Sequence, residues 1–340
     1  MTKQKLTIGL LAASAIVAFS SVLPAETINA AGATFPAVIY QKWFEEYHKL
    51  HSDVQINYQA IGSGAGIQQL TSGTVDFGAS DMPMTDAQMG KITKFKVLHF
   101  PMVLGGVVPV YNIEGINAVL NFTPETLSGI FLGTISNWND ARLKKDNPNV
   151  KFPNAEITVA HRSDGSGTTF VWTDYLSKVS PDWKSKVGAS TSVAWPKGLG
   201  GKGNEGVAGI VKQTPNSIGY VELIYAVQNK MDYGTVKNSA GAFVRADFES
   251  VSAAAAGAAK NMPDDFRVSI TNAPGKNAYP ISSFTWMLIP SNLSGAKKNA
   301  VQQFLKWALT DGQKYCAGLD YATLPTPVVS KEEKQISQIQ

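Results

Sequence analysis

Apolar positions along the chain switch repeatedly between a period of two and a period of three to four. Val54, Ile56, Tyr58 and Ala60 alternate with polar neighbours, which predicts a strand with one buried face. Gly62 to Gly66 interrupts it, and Ile67 to Leu70 opens a short helix. Ile157 to Ala160 reads as a second strand running into a loop at 162–168, after which Phe170, Val171, Tyr175 and Leu176 trace a helical stripe. Ser217 to Glu222 reads as another strand. Lys297 to Leu309 reads as a C-terminal helix with Val301, Phe304, Leu305 and Ala308 on one face. At Thr123-Pro124-Glu125 a capping hydroxyl, a proline in the first helical position and an acid near the positive end predict a helix start. Strands alternating with helices predict α/β lobes in which helices cover mostly parallel sheets. The stretch from Asp232 to Gly275 is rich in alanine, serine and glycine, has weak periodicity, and is expected to be an exposed excursion of one lobe. There is no repeat and no long flexible linker, so two lobes would have to be joined by strands crossing between them.

The first residues carry a different pattern. Lys3 and Lys5 precede an apolar run from Ile8 to Phe19, and a small-residue exit follows near Pro24-Ala25. This is the pattern of an export signal over 1–25, with cleavage after Ala25. Gly9 and Ser14 dilute the run and Thr7, Ser20 and Ser21 flank it, which makes it a poor membrane anchor. No cysteine stands near the cleavage point, so a lipoprotein is not expected. The rest of the 340 residues suffices for two domains. The single cysteine, Cys316, has no internal partner and sits in an apolar helical context, which predicts a buried, inert thiol.

The formal net charge is +4, of which Lys3 and Lys5 contribute two, and the other lysines are scattered rather than gathered into a stripe. That balance argues against nucleic acid as a partner. A small anion needs local donors rather than a global field, and three loops of similar composition offer them. Ala33-Thr34-Phe35-Pro36 leads into a helix carrying Val38, Ile39, Trp43 and Phe44. Gly62-Ser63-Gly64-Ala65-Gly66 leads into Ile67–Leu70, and Gly165-Ser166-Gly167-Thr168 into Thr169–Leu176. Each places a hydroxyl and free backbone N–H groups at a helix N-terminus, where the dipole favours negative charge. A hydroxyl before a helix is also an ordinary cap, so each loop taken singly is weak. Gly198-Leu-Gly-Gly-Lys202-Gly fails the spacing of a phosphate-binding P-loop and reads as a glycine-rich turn at a cleft edge.

The loop at 162–168 adds charge. Arg162 offers a planar fork for paired oxyanion oxygens, and Asp164, two residues on, is placed to hold that fork. Asp76, in Thr74-Val-Asp-Phe-Gly-Ala-Ser-Asp81, is the carboxylate expected beside the anion. A carboxylate there accepts the proton that phosphate still carries near neutral pH, whereas sulfate has none to give. From spacing alone Asp76 could equally cap a turn or a helix.

At these residues the chain resembles the periplasmic phosphate-binding proteins of Pst-type ABC importers. The segments that carry the resemblance are Ala31-Gly-Ala-Thr-Phe-Pro36, Ile61-Gly-Ser63, Thr74–Asp81, Arg162-Ser-Asp-Gly-Ser-Gly-Thr168, Gly198–Gly203 and Ile218-Gly-Tyr-Val-Glu222, spread over nearly the whole chain. The resemblance implies a two-lobed periplasmic binding fold of type II, each lobe a mixed, mostly parallel sheet flanked by helices. Two crossing strands near Val107 and Ser282 would form the hinge, with lobe I at 26–107 plus 283–340 and lobe II at 108–282. It implies a phosphate site in which Thr34, Phe35, Ser63, Ser166, Gly167 and Thr168 donate. In that site Arg162 clamps, Asp164 buttresses and Asp76 accepts the phosphate proton. It also implies capture of phosphate in the periplasm by a monomer, delivery to the membrane permease subunits of an ABC importer, and no cofactor, metal or catalysis. Gly64 and Ala65 depart from the more serine- and glycine-rich second loop of that family, which leaves the backbone path there less defined.

Three rivals share much of this pattern. A serine hydrolase or phosphatase would use Ser166, but a G-x-S-x-G elbow is absent. His161 adjoins Arg162 on a strand, where neighbours point oppositely. His48 and His51 have helical spacing but no further ligands to complete a metal site, and they read as a solvated helix face. A binding protein for sulfate or molybdate would keep the donors and lack use for an acidic acceptor. A surface adhesin or sensor would keep every ligand residue.

Overall fold

In a computed structural model that describes residues 25–340, one strand is far longer than its neighbours. Val97–Asn112 covers 16 residues and is buried at every position but the last. At the ordinary strand rise it spans roughly 50 Å. Its apolar residues run on without alternation, as in a strand covered on both faces. From Val97 to Gly106 it pairs antiparallel with Ser282–Pro290, and from Val107 to Asn112 antiparallel with Ser217–Glu222. The partners change just after a glycine pair on which aromatic rings pack closely. A Cβ on Gly105 would lie 2.6 Å from the Phe35 ring, and one on Gly106 would lie 3.3 Å from that of Tyr279.

Around this strand the nine-stranded sheet runs Val54–Ala60, Glu26–Gly32, Phe77–Ser80, Ser282–Pro290, Val97–Asn112, Ser217–Glu222, Thr158–Arg162, Leu199–Gly201, with Asp232–Tyr233 pairing on the long strand. Glu26–Gly32 is parallel to both neighbours, and so is Thr158–Arg162. Two parallel wings are therefore joined by an antiparallel centre, the two-lobed α/β arrangement with strands crossing between the lobes. A small separate sheet orders Phe243–Val244, Thr235–Lys237 and Asn121–Phe122.

Helices cover the wings as the apolar stripes require. Ala37–Leu50 buries Ile39, Tyr40, Trp43, Phe44 and Tyr47, and Gly295–Leu309 buries Val301, Phe304, Leu305 and Ala308. Pro124–Leu132 begins at Thr123, whose hydroxyl accepts the Thr126 amide. The alanine-rich stretch differs from expectation. Phe248–Lys260 is a helix capped by Asp247, with Val251, Ala254 and Ala255 buried. Alanine carries high helix propensity but a weak apolar signal, so the stripe is hard to see in the pattern. Thr326–Ile336 is a further helix, with Val328 and Ile336 buried. Among the described residues no helix is long and apolar enough to cross a membrane. The expected export signal at 1–25 lies, apart from Ala25, outside the described residues.

Candidate functional site

Loops that follow parallel strands open at the carboxyl ends of a sheet, where helix N-termini also point. Five such junctions meet here: those after Glu26–Gly32, Val54–Ala60, Phe77–Ser80, Thr158–Arg162 and Leu199–Gly201. They bring together Thr34, Phe35, Ser63, Arg162, Asp164, Ser166, Gly167 and Thr168, and they add Asp81 and Asn204.

Arg162 ends its strand, and its side chain is 1% exposed. Nε and Nη2 donate to Asp164 Oδ1 and Oδ2 at 2.8 and 2.6 Å, and Asp164 Oδ1 also accepts the Gly203 amide at 3.1 Å. Partial burial alone would raise the Asp164 carboxyl, but the Arg162 fork and that amide hold it below the usual carboxylate range. The third guanidinium nitrogen, Nη1, is buried and has no protein partner. A Cβ on Gly62, whose φ is +95°, would lie 2.4 Å from Asp164 Oδ2, so the second loop reaches this ion pair only as glycine.

The second and fourth loops touch directly. The Gly64 amide donates to the Gly165 carbonyl at 2.8 Å, and the Gly167 amide to Ser63 Oγ at 3.0 Å. Ser63 Oγ also accepts the Asp81 amide at 3.3 Å, which leaves its own proton to point elsewhere. Ser166 caps the helix Gly167–Val179 by accepting the Thr169 amide at 3.0 Å. Thr34 and Thr168 meet at Asn204, whose Nδ2 donates to Thr34 Oγ1 at 2.8 Å and to Thr168 Oγ1 at 3.2 Å. The backbone of the first loop is held from behind. Tyr225 donates to the Thr34 carbonyl and Tyr321 to the Phe35 carbonyl, each at 2.6 Å.

A further carboxylate of the cluster, not engaged by Arg162, is Asp81. It is 1% exposed, its Oδ1 accepts from Thr285 Oγ1 at 2.8 Å, and its Oδ2 is buried without a partner. Burial pushes its carboxyl up to about 7, with the Thr285 hydroxyl and the Arg162 charge pulling the other way. Asp76 does not join the cluster, which corrects the sequence expectation. It precedes the strand Phe77–Ser80, whereas Asp81 follows it, so the two sit roughly 15 Å apart at opposite strand ends. There Asp76 Oδ1 accepts from Lys297 Nζ at 2.6 Å and Oδ2 from the Asn29 amide at 2.8 Å. The glycine-rich segment is also more than a turn: Leu199–Gly201 is a strand beside Ala160–Arg162, and the helix Gly203–Gln213 starts next to Asp164.

Asn204, Tyr220 and Glu222 join the site without having been expected there, although Tyr220 and Glu222 lie in the segment Ile218–Glu222 that helps carry the resemblance. The Tyr220 hydroxyl accepts the Arg162 amide at 3.2 Å and lies 2.7 Å from Thr169 Oγ1. Glu222 is fully buried: Oε2 accepts the Ile224 amide at 3.0 Å and Oε1 has no partner. Burial pushes its carboxyl far up, and the nearby charges of Asp320 and Asp81 add to the effect. The histidines stand apart from the Ser166 hydroxyl. His161 stacks on Trp195 at 4.9 Å, His48 Nδ1 lies 2.7 Å from the Val54 carbonyl, and His51 stacks on Tyr47. Cys316 is buried, which pushes its thiol up to about 12.

This cluster offers a cationic fork, hydroxyl and amide donors, and, besides Asp164 on the arginine and the buried Glu222, the Asp81 carboxylate, the chemistry that holds a small oxyanion carrying a proton. The sequence matches the PBP superfamily domain over residues 20–312, which places the chain among the two-lobed binding proteins. It is 46% identical over 308 residues to phosphate-binding protein PstS of Xylella fastidiosa strain Temecula1, a match covering 90% of this chain and 84% of that protein. It is 43% identical over 337 residues to phosphate-binding protein PstS of Pasteurella multocida strain Pm70, covering 98% and 96%. The chain belongs to the PstS family. The solved structure of a high-affinity periplasmic phosphate-binding protein, PfluDING, bound with phosphate, matches with a TM-score of 0.72 at 19% identity. That match covers 91% of this chain and 93% of the other, and the likeness is one of fold.

Proposed function

We propose that this protein captures inorganic phosphate between two lobes and delivers it to an ABC importer. The observation that carries the reading is a pair of complementary atoms: Arg162 Nη1 can only donate, and Asp81 Oδ2 accepts when ionised, yet both are buried without a protein partner. Phosphate answers both, with an accepting oxygen for the arginine and a hydroxyl for the carboxylate. Burial raises the Asp81 carboxyl, and its ionised form at this place accepts the hydrogen bond of a phosphate hydroxyl. Sulfate brings no proton and would face Asp81 as charge against charge. The phosphate-binding names of the relatives support the same ligand.

The ligands are then Thr34, Phe35, Ser63 and Asp81 from lobe I, read as 26–107 plus 283–340. Lobe II, 108–282, contributes Arg162, Ser166 and Thr168, with Asp164 buttressing the arginine, while the Gly167 amide, expected as a further donor, gives its proton to Ser63 Oγ. Donors from both sides favour closure about the crossing strands, because bound phosphate stabilises the closed form through contacts that an open form lacks. The protein acts as a monomer in the periplasm, exported by the segment 1–25 and carrying no lipid anchor, and hands phosphate to membrane permease subunits. It makes and breaks no covalent bond: the Ser166 hydroxyl serves as a helix cap, and the imidazole of His161 stacks on Trp195 away from it.

The reading is tested by removing bound phosphate and following thermal unfolding against a panel of oxyanions. Phosphate is expected to raise the melting temperature saturably, with sulfate at equal concentration without effect. No shift with phosphate would overturn the reading. Small-angle scattering is expected to show compaction on adding phosphate, and an unchanged radius of gyration would contradict the hinge.

A further inference from the structure

Asn204 is fully buried at the start of the helix Gly203–Gln213, and its carboxamide has one possible orientation. The Glu222 amide lies 2.9 Å from Asn204 Oδ1, and a backbone N–H can only donate, so that atom is the oxygen. Nδ2 therefore faces Thr34 Oγ1 and Thr168 Oγ1. The amide nitrogen has two hydrogens and accepts nothing, so one hydrogen goes to each hydroxyl oxygen. Each hydroxyl has a single proton of its own, and having accepted from Asn204 it must aim that proton elsewhere. Among the described residues, the only side-chain bonds at these two oxygens are those received from Asn204.

We propose that Asn204 is a positioning residue that sets the hydrogen-bond polarity of the site, directing the Thr34 and Thr168 hydroxyl protons away from itself so that both hydroxyls donate toward phosphate. This deepens the functional reading above and rests on it. A free threonine hydroxyl can donate or accept, and it loses rotational freedom when it chooses. For Thr168, on the same lobe as Asn204, the choice is made before the ligand arrives, the preorganisation that makes polar sites strong. The same device limits where a ligand proton can go. With the threonine protons directed outward, Asp81 Oδ2 is a buried acceptor without a protein partner that can take a phosphate hydroxyl, so Asn204 and Asp81 together favour an oxyanion that carries a proton. Thr34 stands on lobe I and Asn204 on lobe II, so the Thr34 proton is aimed only when the lobes are closed.

The test is a double-mutant cycle read by calorimetry with inorganic phosphate. Asn204→Ala is expected to weaken binding by roughly 10- to 100-fold. Asn204→Asp is nearly isosteric but puts an accepting oxygen where Nδ2 stood, reversing both hydroxyls, and is expected to weaken binding more. In a Thr34→Val/Thr168→Val background, Asn204→Ala is expected to add less than about a twofold loss, since there are no hydroxyl protons left to orient. An equal loss in both backgrounds would mean that Asn204 only supports the fold, and would overturn the proposal, as would wild-type affinity in Asn204→Asp. Melting temperatures of the phosphate-free variants check folding; if Asn204→Ala does not fold, Asn204→Asp completes the same cycle. A wild-type protein that bound no phosphate would overturn both this inference and the functional reading, whereas tight wild-type binding with an additive cycle would remove the positioning role alone.

Discussion

Arg162 and Asp81 approach one site from opposite wings of the sheet, each with a single buried atom that the protein leaves unanswered, Nη1 of the guanidinium and Oδ2 of the carboxylate. A buried polar atom without a partner costs about 1–3 kcal/mol, more when charged. Two such atoms of opposite hydrogen-bond sense, beside a set of hydroxyl and amide donors, define the ligand by what it must carry. It needs oxygens to accept from the arginine and the donors, and one proton to give.

Replacing Arg162 by lysine keeps the charge and removes the fork. Lysine cannot reach both Asp164 oxygens and the anion at once, since its charge is a single point on a flexible stem. Arg162→Lys is expected to weaken phosphate by at least about 100-fold, the equivalent of a lost charge-assisted bond. Titration calorimetry checks this, and near-wild-type affinity would show that the fork is dispensable.

Asp76 and Asp81 give a sharper contrast, because the same change at each has different consequences. Asp76→Ala breaks a partly exposed pair with Lys297 and removes an acceptor for the Asn29 amide. It is expected to cost about 1 kcal/mol of stability and to leave phosphate affinity within about twofold. Asp81→Ala is expected to remove the selectivity of the site. Chemical denaturation and calorimetry on both variants check the pair.

Much of the site is legible in the amino-acid sequence. The capped helix starts and the three hydroxyl-bearing loops follow from local chemistry, and Arg162 with Asp164 needs only a spacing of two. The acceptor is not legible there, because Asp76 and Asp81 flank the same short strand and differ only in which end they occupy. Choosing between them requires the strand's limits and direction, and Phe-Gly-Ala-Ser shows no alternation to mark them. The rule that ligands gather at the carboxyl ends of parallel strands favours Asp81 once those limits are known. Asn204 is hidden differently. It follows a glycine-rich run that resembles a turn, and its partners Thr34, Thr168 and Glu222 are remote in sequence, joined only by tertiary structure.

Gly167 is required by close approach rather than by its own dihedral angles. A Cβ there would lie 2.4 Å from Asp81 Oδ2 and 2.5 Å from Ser63 Oγ. Gly167→Ala is expected to destabilise the closed form by about 1–3 kcal/mol through overpacking and to weaken phosphate by at least about tenfold. Calorimetry and scattering on the same variant check whether affinity and closure fall together.

Asp81 also makes the phosphate-free protein sensitive to pH. Its folded carboxyl is pushed up to about 7 from an ordinary value of 3.8, so in that window the folded state binds more protons than the unfolded one. The stability it contributes is full below about 4 and is lost as pH rises through about 7, a change on the order of 2–4 kcal/mol. Melting temperatures of the phosphate-free protein are expected to fall between about pH 5 and 8 more steeply than those of Asp81→Asn. Glu222 and Glu332 are also buried with raised carboxyls, so the difference between the two curves isolates Asp81.

The most direct test of the account is the ratio of phosphate to sulfate affinity near neutral pH, measured by calorimetry on phosphate-free wild-type protein and on Asp81→Asn. Asparagine can donate to an oxyanion that has no proton and carries no charge to repel it. The wild type is expected to prefer phosphate by at least about 1000-fold, and the variant to lose most of that preference by gaining sulfate. Comparable binding of the two anions by the wild type, or an unchanged ratio in Asp81→Asn, would contradict it.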